Sequence, residues 1–238
     1  MERAYPSLPR VFDADDRQLP AAGESNVAAG AAGVMVAPVA SLRTNEQIVA
    51  YFEQVAQALG PDTPFVLQDY PLTTNVVISP ATIVEILRRC PSCVMVKHED
   101  WPGLAKISAL RKASEADGLR RVSILVGNGG LFLPEELRRG ADGAMTGFAF
   151  PEMMIDVCRA HAAGDVERAH DIFDAYLPLA RYEQQQGVGL AVRKYVLAKR
   201  GAIRSAALRA PGPSLSGADI GDVERLIHRQ EKRLAAIG

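Results

Sequence analysis

The fold is decided by residues 65–99, which read FVLQDYPLTTNVVISPATIVEILRRCPSCVMVKHE. Two apolar runs rich in β-branched residues, at 65–71 and 94–99, predict buried strands. Between them, Ser79 followed by Pro80 opens an amphipathic segment that ends near Arg89, which predicts a helix. A strand, a helix and a second strand within roughly 30 residues form the repeating unit of a parallel sheet.

The same alternation extends outward through residues 34–149. Five strands are predicted, at residues 34–38, 65–71, 94–99, 122–127 and 143–147. The segments between them predict helices at residues 46–59, 80–89, 103–116 and 133–140. After residue 150 the strand pattern stops, and consecutive helices are predicted at residues 151–163, 166–184, 190–199 and 218–236.

The number of strands leaves two α/β architectures open. A complete (β/α)8 barrel needs about 250 residues, and residues 4–11 can add only a sixth strand. One architecture is an incomplete TIM (β/α)8-type barrel with five to six strands and a C-terminal helical extension. In it, residues 1–164 form the shortened barrel and residues 165–238 form the extension packed on it. The other architecture is an open, doubly wound sheet.

Composition excludes several classes of protein. The chain has 238 residues, and 27 Lys and Arg against 28 Asp and Glu give a net charge of −1. Such a balance does not attract nucleic acid or an anionic membrane, so neither is predicted as a partner. No apolar run reaches the roughly 20 residues of a membrane-spanning helix, and no basic segment precedes an apolar one at the N-terminus. A cytoplasmic location is therefore predicted.

Cysteine and histidine spacing indicates neither a redox site nor a metal site. Cys90 and Cys93 have the spacing of a redox pair, but they close a helix instead of opening one, so they are predicted to be structural thiols. The four histidines lack the close spacing of metal ligands. The sequence therefore predicts no metal and no cofactor.

Lys97 is the strongest candidate for a reactive group. It lies at the carboxyl end of an apolar strand, where the active sites of barrels are built. Strand alternation places Met95, Lys97 and Glu99 on one face, and Val94, Val96 and His98 on the other, where His98 is predicted to make a structural hydrogen bond. A desolvated lysine amine is a nucleophile toward carbonyl carbon, and Glu99 could act as its acid or base. The alternative is an exposed lysine in an ion pair at the strand end.

Further candidates follow the other strands. Gln68 and Tyr70 share one face at the end of the preceding strand, within reach of a ligand over Lys97. Gly127 and Asn128 begin a glycine-rich turn whose N–H groups could approach an anion, although it lacks the spacing of a dinucleotide fingerprint. Thr146 could bind substrate or cap the helix near Pro151.

Three segments in this order carry a family resemblance: VMVKHED from residue 94, LVGNGG from residue 125 and GADGAMTG from residue 140. Over most of residues 28–210 the chain resembles the dihydrodipicolinate synthase/N-acetylneuraminate lyase superfamily. The resemblance implies a (β/α)8 barrel with a C-terminal helical extension, which assembles as a homo-oligomer, a dimer or a tetramer. It also implies that Lys97 forms a Schiff base with a 2-keto acid, and that Gly127 and Met145 line the keto-acid site.

Departures from the synthase pattern point to one branch of the superfamily. Gln68 stands where synthases have the tyrosine of Y-N-x-P, and Thr73 stands where they have an arginine. The motifs Q-D-x-P at residue 68 and K-x-E at Lys97 are similar to those of dehydratases such as L-2-keto-3-deoxyarabonate dehydratase. Near the N-terminus, residues 21–24 read AAGE where the family has G-T-T-G-E, and about two βα units are missing.

Three functions follow from these observations. The first is a Schiff-base lyase acting on a 2-keto acid, specifically a hydro-lyase of a 2-keto-3-deoxy sugar acid. The second is a shortened, non-catalytic barrel homologue that binds a keto acid or serves as an oligomeric or structural protein. The third, which belongs to the doubly wound sheet, is a binding site for a phosphorylated ligand at residues 127–130.

Overall fold

The computed structural model describes residues 27–101, 103–116 and 118–238. Its strands are β1 (Val34–Val36), β2 (Phe65–Asp69), β3 (Cys93–His98), β4 (Ser123–Val126) and β5 (Gly143–Ala144). Its helices are α1 (Asn45–Leu59), α2 (Pro71–Thr74), α3 (Pro80–Arg89), α4 (Leu104–Ala116), α5 (Leu133–Arg138), α6 (Pro151–Ala162), α7 (Val166–Glu183), α8 (Gly189–Lys199) and α9 (Gly217–Ile237), with a 3₁₀ turn at Asn128–Gly130. Every strand and helix predicted from residue 34 onward is present. The strand predicted at residues 4–11 lies outside the described residues.

Strand order distinguishes the two predicted architectures. Neighbouring strands are hydrogen-bonded in the order β1-β2-β3-β4-β5, and β1, β2 and β3 run parallel. A doubly wound sheet reverses its strand order at a switch point, whereas a barrel adds each strand beside the preceding one. The described strands show no reversal, so their order is that of a barrel.

The chain divides into two compact units, Met1–Leu125 and Val126–Gly238. The domain boundary predicted between residues 164 and 165 falls between the end of α6 and the start of α7 and stays a prediction.

In the first unit, one face of the sheet is covered and forms the core. Phe65, Leu67 and Val96 are fully buried there, and the Phe65 ring stacks on Phe52 of α1 at 6.2 Å between centroids. Helix α1 begins with a capping box formed by Thr44 and Gln47, which satisfies backbone N–H groups at the helix start. Burial of these apolar side chains supplies the main stabilisation of the unit.

The strand alternation predicted for β3 is interrupted at one residue. The register between β2 and β3 shifts after Phe65, so that Phe65 pairs with Cys93 and Val66 pairs with Met95. Val94, the extra residue, is 43% exposed, although it was predicted to share the buried face of Val96 and His98. Such a bulge inserts one residue into a strand and breaks the period of two.

In the second unit, helices pack on one another around α7. This helix contacts α6, α8 and α9, and it buries Phe173, Tyr176 and Leu179. Val192 and Val196 of α8 are fully buried, four residues apart on one face of that helix.

Candidate active site

Lys97 lies near the carboxyl end of β3, where it pairs in register with Gln68 of β2. Its side chain is 14% exposed, and its Nζ is 3.1 Å from Oε2 of Glu99. The amine is therefore largely withdrawn from water and still accessible. The sequence left open a desolvated lysine or an exposed lysine in an ion pair, and the structure shows a lysine that is mostly buried and is also paired with a carboxylate.

Glu99 is the centre of the group around this lysine. Its side chain is 8% exposed, and its Oε2 also accepts a hydrogen bond from Nε2 of Gln68 at 3.0 Å. The Glu99 N–H donates to the carbonyl of Asp69 at 2.8 Å, which continues the β2–β3 pairing one residue beyond the strand. The structure thus brings together three of the predicted site residues, Lys97, Glu99 and Gln68. This carboxylate can accept a proton from the amine, since it is already the amine's hydrogen-bonding neighbour.

Tyr70 is placed differently from its prediction. Strand β2 ends at Asp69, and Tyr70 is the residue before the short helix α2, with φ −133° and ψ 71°. Its carbonyl accepts hydrogen bonds from the N–H groups of Thr73 and Thr74. The turn begins here because Pro71 fixes the backbone for the first helical position. Tyr70 therefore does not continue the strand face of Gln68.

A second polar group occupies the covered face of the same strand ends. Asp69, His98 and Lys106 are all buried, and Oδ2 of Asp69 lies 3.1 Å from His98 Nδ1 and 2.9 Å from Lys106 Nζ. The structural hydrogen bond predicted for His98 is thereby present. Sequence reasoning assigned no role to Asp69 or Lys106, although the alternation along β2 places Asp69 and Gln68 on opposite faces of the sheet.

The candidate residues of the second unit form a self-contained loop. Asn128 and Gly129 have positive φ, at 50° and 66°. The Gly129 N–H donates to Oγ1 of Thr146 at 2.8 Å, and the Gly130 N–H donates to the carbonyl of Gly127 at 2.9 Å. Two N–H groups that an anion would need are thus used within the chain. Thr146 fixes this loop, while the residue before helix α6 is Phe150.

Met145 follows β5 and presents its backbone to β4. Its N–H donates to the carbonyl of Val126 at 2.8 Å. A Cβ added at Gly129 would lie 2.2 Å from Nε2 of Gln184, so only glycine allows this glutamine of the second unit to pack on the loop. Sequence reasoning missed Gln184.

A buried carboxylate near the end of α7 was also missed as a functional residue. Glu183 accepts hydrogen bonds from the Ala149 N–H at 3.0 Å and from Arg193 Nε at 2.5 Å. Arg193 Nη2 in turn donates to the carbonyl of Gly147 at 2.6 Å. Burial raises the pKa of Glu183, while the charge of Arg193 and the Ala149 N–H act in the opposite direction.

The cysteine pair has the environment of structural thiols. Cys90 and Cys93 are buried, and burial raises their pKa values to about 11 and about 12. Nη2 of Arg120 donates to the carbonyls of both residues. Because the thiolate is the reactive form, neither thiol is activated at neutral pH.

The predictions about a metal site and a membrane span can be compared with the structure only over the described residues. Within residues 27–101, 103–116 and 118–238, no three His, Cys, Asp or Glu side chains are grouped so that they could hold a metal ion. The same ranges contain no helix that is long and apolar enough to span a membrane. In the basic segment at residues 193–200, Lys199 and Arg200 bind the carboxylates of Glu224 and Glu152.

Comparison with known proteins shows which family the chain belongs to. The model of the dihydrodipicolinate synthetase family matches residues 20–230. L-2-keto-3-deoxyarabonate dehydratase of Azospirillum brasilense is 30% identical over 190 residues, which are 78% of this chain and 59% of that protein. For 4-hydroxy-tetrahydrodipicolinate synthase of Erythrobacter litoralis, identity is 27% over 176 residues, which are 74% of this chain and 58% of that protein. The chain thus spans about three fifths of the length of these curated relatives.

A solved structure is similar over nearly the whole chain. The crystal structure of a dihydrodipicolinate synthase from Rhodopseudomonas palustris has a TM-score of 0.88 and 54% sequence identity. The match covers 92% of this chain and 73% of that chain. It confirms the predicted fold class, a (β/α)8-type barrel that is incomplete in this chain.

Proposed function

Since the chain belongs to the dihydrodipicolinate synthetase family, we propose that it is a class I lyase that forms a Schiff base with a 2-keto acid. The observation that carries this proposal is the position of Lys97. Its side chain is 14% exposed at the carboxyl end of a parallel strand, and its Nζ is 3.1 Å from a carboxylate that can take its proton.

The proposed reaction begins at this pair. Glu99 accepts a proton from Lys97, and the free amine attacks the C2 carbonyl carbon of the keto acid. The resulting carbinolamine loses water and becomes an iminium ion. The positive nitrogen acidifies the C3 protons, because it can accept the electron pair that a departing proton leaves behind.

The finer proposal is a hydro-lyase acting on a 2-keto-3-deoxy sugar acid. Removal of a C3 proton gives an enamine, which expels the C4 hydroxyl as water after that hydroxyl is protonated. Hydrolysis of the conjugated iminium then releases the dehydrated keto acid and restores the amine of Lys97. Glu99 is the proposed acid and base, and Gln68 holds its Oε2. The similarity to L-2-keto-3-deoxyarabonate dehydratase supports this substrate class.

The substrate-binding roles predicted from the sequence for Tyr70 in the first unit, and for Gly127, Asn128, Met145 and Thr146 in the second, stay predictions. A homo-oligomer, a dimer or a tetramer, and a cytoplasmic location stay predictions. Light scattering of the purified chain tests the oligomer, since a monomer at micromolar concentration would contradict it.

Borohydride trapping tests the Schiff base directly. The protein is incubated with pyruvate or a 2-keto-3-deoxy acid and reduced, and the mass increase is located by peptide mapping. We expect a reduced adduct on Lys97 that Lys97→Ala abolishes. Lys199→Ala is the matched control, because Lys199 is also paired with a glutamate but lies on α8. A protein that is folded by circular dichroism and forms no adduct would contradict the proposal.

A second candidate function is a keto-acid-binding homologue without turnover. It is favoured by the open face of the first unit's sheet, where Met35 and Val94 are 42% and 43% exposed. It is also favoured by residues 21–24, which lack the threonines of the family motif. Adduct formation without release of a dehydrated product would support this second function over the hydro-lyase.

A further inference from the structure

On the covered face of β2 and β3 lies a group of ionisable side chains that the proposed reaction does not use. Asp69, His98 and Lys106 are 0%, 1% and 7% exposed. We infer that these three are positioning residues, which hold the ends of β2 and β3 in the register that sets Gln68 against Lys97 and Glu99. The inference rests on the proposed function for the reaction that this placement serves, whereas the contacts themselves do not depend on it.

The contacts form one continuous network. Oδ2 of Asp69 accepts from Lys106 Nζ at 2.9 Å and lies 3.1 Å from Nδ1 of His98. Lys106 Nζ also lies 2.6 Å from Oδ2 of Asp100. Strand β2, strand β3, the loop after β3 and helix α4 are therefore joined through two side chains, Asp69 and Lys106. Buried charges persist only where partners with good geometry offset their desolvation.

His98 connects the network to the loop after β3. Its Nδ1 lies 3.1 Å from Oδ2 of Asp69, and its Nε2 lies 3.0 Å from the carbonyl oxygen of Gly103. Both ring nitrogens therefore have a polar partner, which fixes the orientation of the buried ring.

Gly103 shows that this arrangement is tightly closed. A Cβ at this position would lie 2.2 Å from Nε2 of His98 and 2.7 Å from the carbonyl oxygen of Asp100. Only a residue without a side chain lets the loop carbonyl approach the ring so closely. The loop is therefore shaped to satisfy His98.

Alternation along the strands links this network to the reactive pair. Asp69 follows Gln68, and His98 stands between Lys97 and Glu99. The register pairs Gln68 with Lys97 and Asp69 with His98. Because successive side chains point to opposite faces, a slip by one residue would bury Lys97 and expose His98. Pairing of Asp69 with His98 on the covered face thus enforces the pairing on the open face.

Replacement of Lys106 tests the inference in the full-length chain. Lys106→Met removes the cation, Lys106→Arg restores it, and Val96→Ala is a control that removes buried volume from the same face without touching the network. Pyruvate trapping at Lys97 is measured by mass at a temperature where circular dichroism shows each variant folded. We expect Lys106→Met to slow trapping by about tenfold or more, because small displacements of reacting groups have large effects on rate. Lys106→Arg and Val96→Ala should stay within about twofold of the unchanged chain.

Reductive methylation with formaldehyde and cyanoborohydride supplies a readout that needs no keto-acid site. Loosening of the ion pair should raise the methylation rate of Lys97 several-fold in Lys106→Met and leave it unchanged in Val96→Ala. If Lys106→Met does not fold, Asp100→Asn replaces it, since Asp100 is the network's partly exposed partner. We expect Asp100→Asn to change the trapping and methylation rates of Lys97 in the same directions as Lys106→Met, by smaller factors.

The two readouts separate the inference from the proposed function. No pyruvate adduct in the unchanged chain would refute the Schiff base, and methylation alone would then decide the positioning role. Equal effects of Lys106→Met and Val96→Ala on Lys97 would overturn the inference.

Discussion

The ends of β2 and β3 in the first unit and helix α5 in the second each bury a carboxylate, but in different electrostatic surroundings. Asp69 is fully buried, and its Oδ2 has Lys106 and His98 against it. Glu136 is 7% exposed. Its Oε2 and Oδ1 of Asp69 are both buried without a hydrogen bond in the part of the chain that the structure describes, so the two acids differ in the cationic groups beside Oδ2 of Asp69. Burial and the charge of Glu135 raise the pKa of Glu136 to about 8.

The difference shows how a fold can keep a buried carboxyl group charged or hold it in the neutral, protonated form. Where the chain places cations against a carboxylate, the charged form is stabilised and the group can hold other elements in place. Where burial and a like charge dominate, the carboxyl group stays protonated at neutral pH. Glu99 also has a cation beside it, Lys97, but the two lie on the opposite face of the sheet from Asp69.

The largest effect is expected from removing the acid that has cationic partners. Asp69→Ala leaves His98 and Lys106 buried without their shared acceptor, and loss of one partner from a buried ionic group costs about 3–5 kcal/mol. Urea denaturation at pH 7 measures the change in unfolding free energy. Gln68→Ala, the neighbouring residue on the open face, is the control and should cost about 1 kcal/mol. Equal losses for the two variants would refute the contrast between the faces.

The raised pKa of Glu136 predicts that the stability of the chain depends on pH. Folding raises the pKa of Glu136 from 4.5 to about 8, so between these values the folded chain binds more protons than the unfolded chain. Its contribution to stability therefore decreases as pH rises from about 4.5 to about 8. Glu136→Gln should remove this decrease and stabilise the chain at pH 9 by on the order of 3 kcal/mol.

Urea denaturation at pH 5 and pH 9 measures this effect. Glu167→Gln is the matched control, since Glu167 is an exposed glutamate of the same unit. If Glu136→Gln and Glu167→Gln show the same dependence on pH, Glu136 is ionised in the folded chain and the contrast with Asp69 fails.

Replacement of Glu99, the acid on the open face, should affect the rate of pyruvate trapping more than the free energy of unfolding. Glu99→Gln keeps the size of the side chain but cannot accept a proton from Lys97, so we expect pyruvate trapping to slow by about 10²-fold. Its unfolding free energy should change less than that of Asp69→Ala. Glu85→Gln, in an exposed pair with Arg89, is the control and should trap pyruvate at the original rate. Unimpaired trapping by Glu99→Gln would exclude Glu99 as the base.

The smallest effect is expected at the thiols. Cys93 lies on the covered face of β3, and burial raises its pKa to about 12, while that of Cys90 rises to about 11. Iodoacetamide at pH 8 should therefore leave both residues unmodified in the folded chain and label them in urea. Peptide mapping measures the labelling. Rapid labelling of the folded chain would show that the covered face admits small reagents.

Part of the candidate site could be predicted from sequence because it depends on local pattern. The period of two placed Gln68 and Lys97 on one face at the ends of adjacent strands, and the structure pairs them in register. The period of two does not hold at Tyr70, because Pro71 ends the strand and starts a helical turn. It does not hold at Val94 either, because a bulge depends on how two strands pair and cannot be inferred from the sequence of one strand.

The sequence by itself determined the order of strands and helices, their caps and the presence of a lysine at a strand end. Those features follow from periodicity, from Ser79 and Pro80 at a helix start, and from other interactions between near neighbours. Only the tertiary structure decided which charges meet. Lys106 lies 37 residues from Asp69 along the chain, and Gln68 lies 31 residues from Glu99. Electrostatic pairing depends on distance in space and on burial, and both are set by packing.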